Sequence, residues 1–188
     1  MVFFIVLYSV FINFFISSNR QLKTYSFLIG RITTVVEYGL YTLLFYQIIE
    51  SRVFKKAILV TSALAGLYLL YALISSPNNS FDSIPSGVTS LILLVYCISY
   101  LFERVKDPDS LFLYSSPVFW VVVATIIYSA GTFFPFIYAQ SHMAEHQFVN
   151  EYDLIHDTLY IVKNLMFAVA MLIKETKFKS PYPMNKRK

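Results

Sequence analysis

Six apolar runs follow one another with only short polar breaks between them: Val2 to Ser18, Tyr25 to Ile49, Ala57 to Ser75, Val88 to Phe102, Pro117 to Tyr138 and Tyr152 to Lys174. A bilayer core of about 30 Å takes about 20 apolar residues per helix. Lipid offers no partner to an unpaired backbone N–H or C=O, and a helix pairs its own. Repeated runs of this kind therefore predict an all-α integral membrane helical bundle of six transmembrane helices. With 57% hydrophobic and only 14% charged residues the chain lies outside the balance of a soluble domain. Six helices in 188 residues leave no room for a separate soluble domain. Residues 1–180 read as a single bundle and residues 181–188 as a basic cytoplasmic tail.

The first run lacks the basic start and A-x-A-like cleavage site of a signal peptide, and Asn19, Arg20, Gln21 and Lys23 separate it from the second, so it reads as a membrane helix. The chain begins almost inside it, which fits a seven-helix design shortened at its N-terminus. Gly66 and the alanines of the third run suit close helix packing, and Gly131 with Pro135 predicts a bend in the fifth. The single cysteine, Cys97, lies in an apolar run and reads as a packing residue.

Lysine and arginine orient the bundle, because short cytoplasmic connections are enriched in them. Arg52, Lys55, Lys56, Arg104, Lys106, Lys174, Lys177, Lys179, Lys186, Arg187 and Lys188 all fall on one side; only Arg20 and Lys23 fall on the other. Six helices then place both termini in the cytoplasm. The net charge of +4 reads as topology plus a tail able to touch anionic lipid, not as a nucleic-acid surface. The 15 tyrosines and 18 phenylalanines read as lipid-facing and interfacial rings.

The last run is the hardest to place in lipid, since Asp153, His156, Asp157, Lys163 and Asn164 interrupt it. Ionisable groups within a span are costly and face a protein interior or a wet cavity. The second run carries Arg31 and Glu37, at the same spacing as Asp157 and Lys163 but with the signs reversed. Both runs enter from the outer side, which predicts a ladder of Arg31 with Asp157 and Glu37 with Lys163. A six-residue step leaves the two rungs about 120° apart around each helix, so both cannot point straight across together. Asp153, His156, Tyr160 and Asn164 form a candidate polar pocket beside the ladder. Such charges either hold a bundle in register or build a ligand pocket, proton path or switch.

His142, Glu145 and His146 match H-x-x-E-H, the zinc string of inverted zincins. On one helix the two histidines would share a face beside a glutamate base, with a third ligand from Glu151, Asp153 or His156. The string has only three fixed positions and sits in a short loop, so a polar loop is its default reading and a loose surface metal site the alternative. G-x-S-x-G, G-x-x-x-x-G-K-[ST], G-x-G-x-x-G and C-x-x-C are all missing from the sequence. The expectation is a protein that is not an enzyme and needs no cofactor.

From Leu101 to Ile137 the chain reads LFERVKDPDSLFLYSSPVFWVVVATIIYSAGTFFPFI. A glutamate and a short polar loop leading into an S-P-x-F-W helix with a Tyr-x-x-Gly step resembles small bacterial multipass membrane proteins of unknown function. It is also similar to the seven-transmembrane sensor regions found ahead of histidine kinases, as is a final lysine-bearing helix ending in a basic patch. The chain carries neither an H-box nor an ATP-binding segment. The resemblance implies a sensor- or receptor-like bundle in the bacterial inner membrane, lacking an output domain. It would bind a small or lipophilic ligand, a partner membrane protein or a second copy of itself between the second, fifth and sixth runs. Two further classes stay open. A transporter or channel subunit would show inverted repeats and broken helices, with Gly131 and Pro135 the candidate break. A membrane-perturbing defence effector would act as an oligomer.

Overall fold

The computed structural model describes residues 7–8, 26–75, 83–106, 114–142 and 145–173. Five long helices account for almost all of them: α1 (Ser26–Ile48), α2 (Arg52–Ser75), α3 (Ser83–Val105), α4 (Pro117–His142) and α5 (His146–Leu172). Each contains a stretch long and apolar enough to cross a membrane, from Leu28–Ile48 in α1 to Gln147–Leu172 in α5. The fold is all-helical and compatible with a membrane protein. Where six spans are expected, five stand among the described residues. The run Val2 to Ser18 lies outside them except for Leu7 and Tyr8, both helical, and the tail 181–188 lies outside them as well.

Local chemistry explains the helix boundaries. Pro117 opens α4, where its missing N–H costs nothing. Pro85 sits in the first turn of α3 for the same reason, and this lets the short run from Val88 recruit polar residues back to Ser83. Helix α4 continues through Gly131 and Pro135 to His142. The chain then breaks at Glu145, whose backbone is extended, before α5 begins at His146, earlier than the apolar run suggests.

Packing runs α2–α1–α3–α4–α5. Helix α4 packs extensively along both α3 and α5, and α1 packs against α2 and α3, but α1 and α5 share no extended backbone packing. Close approaches occur at glycines. A Cβ on Gly131 would lie 2.5 Å from Leu159 Cδ1 of α5, and one on Gly87 would lie 3.2 Å from Ile137 Cγ1 of α4. Gly66 makes no such approach: a Cβ there meets nothing within 4 Å. The main core gathers Tyr41, Phe45, Tyr96, Cys97, Tyr100, Val121, Val122 and Phe167.

Two polar devices tie the first three helices together. Tyr96 of α3 places its hydroxyl 2.6 Å from Thr61 Oγ1 and 2.8 Å from Ser62 Oγ of α2, and Thr42 of α1 reaches the same serine at 3.3 Å. At one end, the Glu103 carboxylate accepts the backbone N–H groups of Glu50 and Ser51, at 3.1 and 2.6 Å. Ser51 in turn accepts the first helical N–H of α2, from Lys55. The clasp brings the basic connection after α1 and the basic end of α3 to the same end of the bundle, with Arg104 3.6 Å from Glu50.

Candidate functional site

The space that α1 and α5 leave between them is a polar cavity of about 60 Å³. Thr34, Glu37, Tyr38 and Tyr41 line it from α1, Ser86, Thr89, Ser90 and Leu93 from α3, and Thr125, Tyr128, Ser129 and Phe136 from α4, with Lys163 arriving from α5. Glu37 lies nine residues past Leu28 and Lys163 nine before Leu172. At 1.5 Å per residue both sit about 14 Å from an end of their spans, at mid-bundle depth. Small hydroxyl residues recur at helical spacing on both facing walls, as Ser86 and Ser90 on α3 and Thr125 and Ser129 on α4. That spacing puts each pair on one helix face.

Lys163 is only 1% exposed, and its Nζ lies 3.7 Å from Glu37 Oε1. The gap exceeds the roughly 2.7–2.9 Å of a charge-assisted hydrogen bond, so the two groups touch as an ion pair. The Tyr128 and Tyr160 rings complete the surroundings of the ammonium, with centroids 4.2 and 4.5 Å from Nζ. Attraction of a cation to aromatic faces strengthens when water is excluded. The lysine thus has a carboxylate on one side and two rings on the others.

Several wall hydroxyls are occupied by their own helices. Thr125 donates to Val121 O at 2.7 Å and Thr89 to Ser86 O at 2.9 Å. The Tyr41 hydroxyl is buried with the Thr125 side chain beside it, and makes no well-formed hydrogen bond among the described residues. Buried polar groups in folded proteins nearly always have a partner.

The second predicted rung, Arg31 with Asp157, is not among the ion pairs of the described residues. Arg31 is 4% exposed and lines a groove with Leu69, Ala72 and Leu73 of α2 and Pro85 and Ser86 of α3. Asp157 is 77% exposed and contacts His156 instead. The rotation between the rungs decides this: with Glu37 turned towards α5, Arg31 points into the α2–α3 side.

The candidate polar pocket divides as well. His156 packs inward, its Nε2 3.0 Å from the Tyr128 hydroxyl and its ring stacked on Tyr152 and Tyr160 of the same helix. Tyr160 covers Lys163, Asn164 is half-buried and Asp153 is exposed. None of these four lines the cavity, whose hydroxyl walls come from α3 and α4.

The H-x-x-E-H string lies only partly within the described residues, with 143 and 144 outside them. His142 ends α4 and His146 begins α5, with Glu145 extended just before it, so the two positions stand on different helices. His142 stacks on Tyr138 at 3.7 Å between ring centroids, and no cluster of three metal-ligating side chains occurs among the described residues.

Comparison with known families, curated proteins and solved structures returns no match.

Proposed function

We propose that this chain is a receptor-like multipass membrane protein that binds a small polar ligand in the cavity beside Glu37 and Lys163. Its bundle has six spans, lies in a bacterial inner membrane and keeps the C-terminus in the cytoplasm. The observation that carries the reading is the convergence at one cavity of a carboxylate, an ammonium and the buried Tyr41 hydroxyl, which makes no well-formed hydrogen bond among the described residues. Pockets of this kind fix a ligand's orientation with a few convergent polar groups. The continuity of α4 through Gly131 and Pro135 favours a receptor over a transporter built on broken helices. The resemblance to sensor regions points the same way.

The test is thermal unfolding of the purified protein in detergent, followed through its single tryptophan, Trp120, against amino acids, short carboxylates and amines. A ligand at about 100 times its Kd stabilises by about 2.7 kcal/mol. That should raise Tm by several degrees in the wild type and not in Tyr41→Phe. A panel without any such shift, or a shift that Tyr41→Phe retains, counts against the cavity as a binding site. For topology, a cysteine replacing Lys106 in a Cys97→Ala background should react with an impermeant maleimide only after the membrane is opened. Labelling of intact cells would reverse the orientation.

A further inference from the structure

The aromatic and acidic groups on the α5 side of the cavity do something the ligand reading does not require. Tyr128 lines the cavity and its hydroxyl is 3.0 Å from His156 Nε2. The other ring nitrogen of His156, Nδ1, lies 3.5 Å from Asp157 Oδ1, and the Asp157 side chain is 77% exposed. One imidazole therefore joins a cavity hydroxyl to a surface carboxylate. Imidazole suits this place because its two nitrogens can take a proton on one side and give one up on the other.

We propose that Asp157, His156 and Tyr128 form a proton-conducting relay that links the exposed face of α5 to the buried Glu37–Lys163 pair. Asp157 lies six residues before Lys163, about 9 Å nearer the His146 end of the helix. Asp153, also exposed, stands one turn further out and extends the acidic approach. Ionisable residues at membrane depth require water or protein around them, and an acidic stripe leading inward supplies a proton-collecting mouth.

The transfer balances as a single proton moved. The O–H bond of protonated Asp157 breaks as N–H forms at His156 Nδ1. The ring releases the proton on Nε2 to the Tyr128 oxygen, and Tyr128 passes its own hydroxyl proton onward, remaining neutral. Water in the cavity carries the last leg to the Glu37 carboxylate. A space of about 60 Å³ has room for a few waters, since one needs about 10–15 Å³ measured this way. The titratable groups around the imidazole are Tyr128 of α4 and Tyr152, Asp153, Asp157, Tyr160 and Lys163 of α5. Protonating Glu37 removes the counter-charge of Lys163, so the relay couples outside acidity to the ion pair that spans the gap between α1 and α5.

The experiment needs no ligand, so its outcome is independent of the receptor reading. The reconstituted full chain is given an acid pH jump, and the carboxylic-acid infrared band of Glu37, identified by its loss in Glu37→Gln, is followed in time. Tyr128→Phe keeps the ring over Lys163 and removes only the hydroxyl; it should slow the band's rise at least tenfold. His156→Gln should do the same, and the double variant should be no slower than either single, as expected for links in series. Asp157→Asn alters only an exposed position and should also slow the rise, which keeps the test open if an interior variant does not fold. A Glu37 band that never forms, or a rise in Tyr128→Phe and Asp157→Asn within twofold of wild type, overturns the relay.

Discussion

Lys163 of α5 reaches Glu37 of α1 across a space that the two helices themselves do not close: Nζ and Oε1 are 3.7 Å apart, yet α1 and α5 share no extended backbone packing. The pair acts as a strut over a polar cavity. Removing one partner leaves a buried charge without compensation, which costs about 3–5 kcal/mol, while replacing both is far milder. Glu37→Gln or Lys163→Met alone should lower Tm in detergent by about 6 °C or more, since each kcal/mol shifts a chain of this size by about 2–4 °C. The exchanged pair, Glu37→Lys with Lys163→Glu, should recover at least half of the stability lost in either single reversal. A double variant no better than the singles would remove the pairing from the account.

The Glu37–Lys163 contact was legible in the sequence because depth along a span can be counted in residues. The Arg31–Asp157 contact was not, because depth says nothing about phase, and a six-residue step turns the second rung away from the first. The hydroxyl walls are hidden in the sequence for another reason. Ser86, Ser90, Thr125 and Ser129 are small and mildly polar, so they disappear into runs judged by average hydropathy. Their recurrence every four residues was the signal that marks one helix face. The H-x-x-E-H string reads as a polar loop in the sequence, and the extended backbone at Glu145 fits that reading.

Tyr96 should behave as a hub. Its hydroxyl joins Thr61 and Ser62 of α2 at 2.6 and 2.8 Å, and Ser62 in turn joins Thr42 of α1. Tyr96→Phe preserves the ring that packs edge-on against Phe45 and deletes only this connection. Hydrogen bonds between membrane helices are worth roughly 0.6 kcal/mol on average and up to about 1.7. A loss of about 1 kcal/mol is expected, with Ser62→Ala costing less in the Tyr96→Phe background than in wild type. Strict additivity of the two would show that the hydroxyls do not act as one network.

Glu103 should hold the start of α2. Its carboxylate accepts two backbone N–H groups where α2 begins, the position at which an anion also meets the positive end of the helix. Glu103→Ala should cost about 1–2 kcal/mol, the usual range for a lost helix cap. The neighbouring Arg104–Glu50 pair is solvent-exposed at 3.6 Å, so Arg104→Ala should change stability by under about 0.5 kcal/mol. Hydrogen exchange discriminates the two: the Glu50 and Ser51 amides should exchange faster in Glu103→Ala and at the wild-type rate in Arg104→Ala. Equal protection in both variants would assign the clasp no role.

Leu159 of α5 packs directly over Gly131 of α4, whose cost of substitution should depend on that single neighbour. An added Cβ would stand 2.5 Å from Leu159 Cδ1 and 3.0 Å from Cδ2, so Leu159 must swing aside. Overpacking of this kind costs about 1–3 kcal/mol. Leu159 is a flexible side chain, which places Gly131→Ala near the lower end and Gly131→Val near the upper. Truncating the neighbour removes the clash, so Gly131→Val with Leu159→Ala should be more stable than the sum of the two single changes predicts, by at least about 0.5 kcal/mol. Gly66→Ala is the matched control on α2: its Cβ meets nothing within 4 Å, and alanine's better helix propensity should leave stability unchanged or raised by up to about 1 kcal/mol. Equal effects at Gly131 and Gly66 would mean that α4 and α5 do not approach at this position as closely as the structure has them.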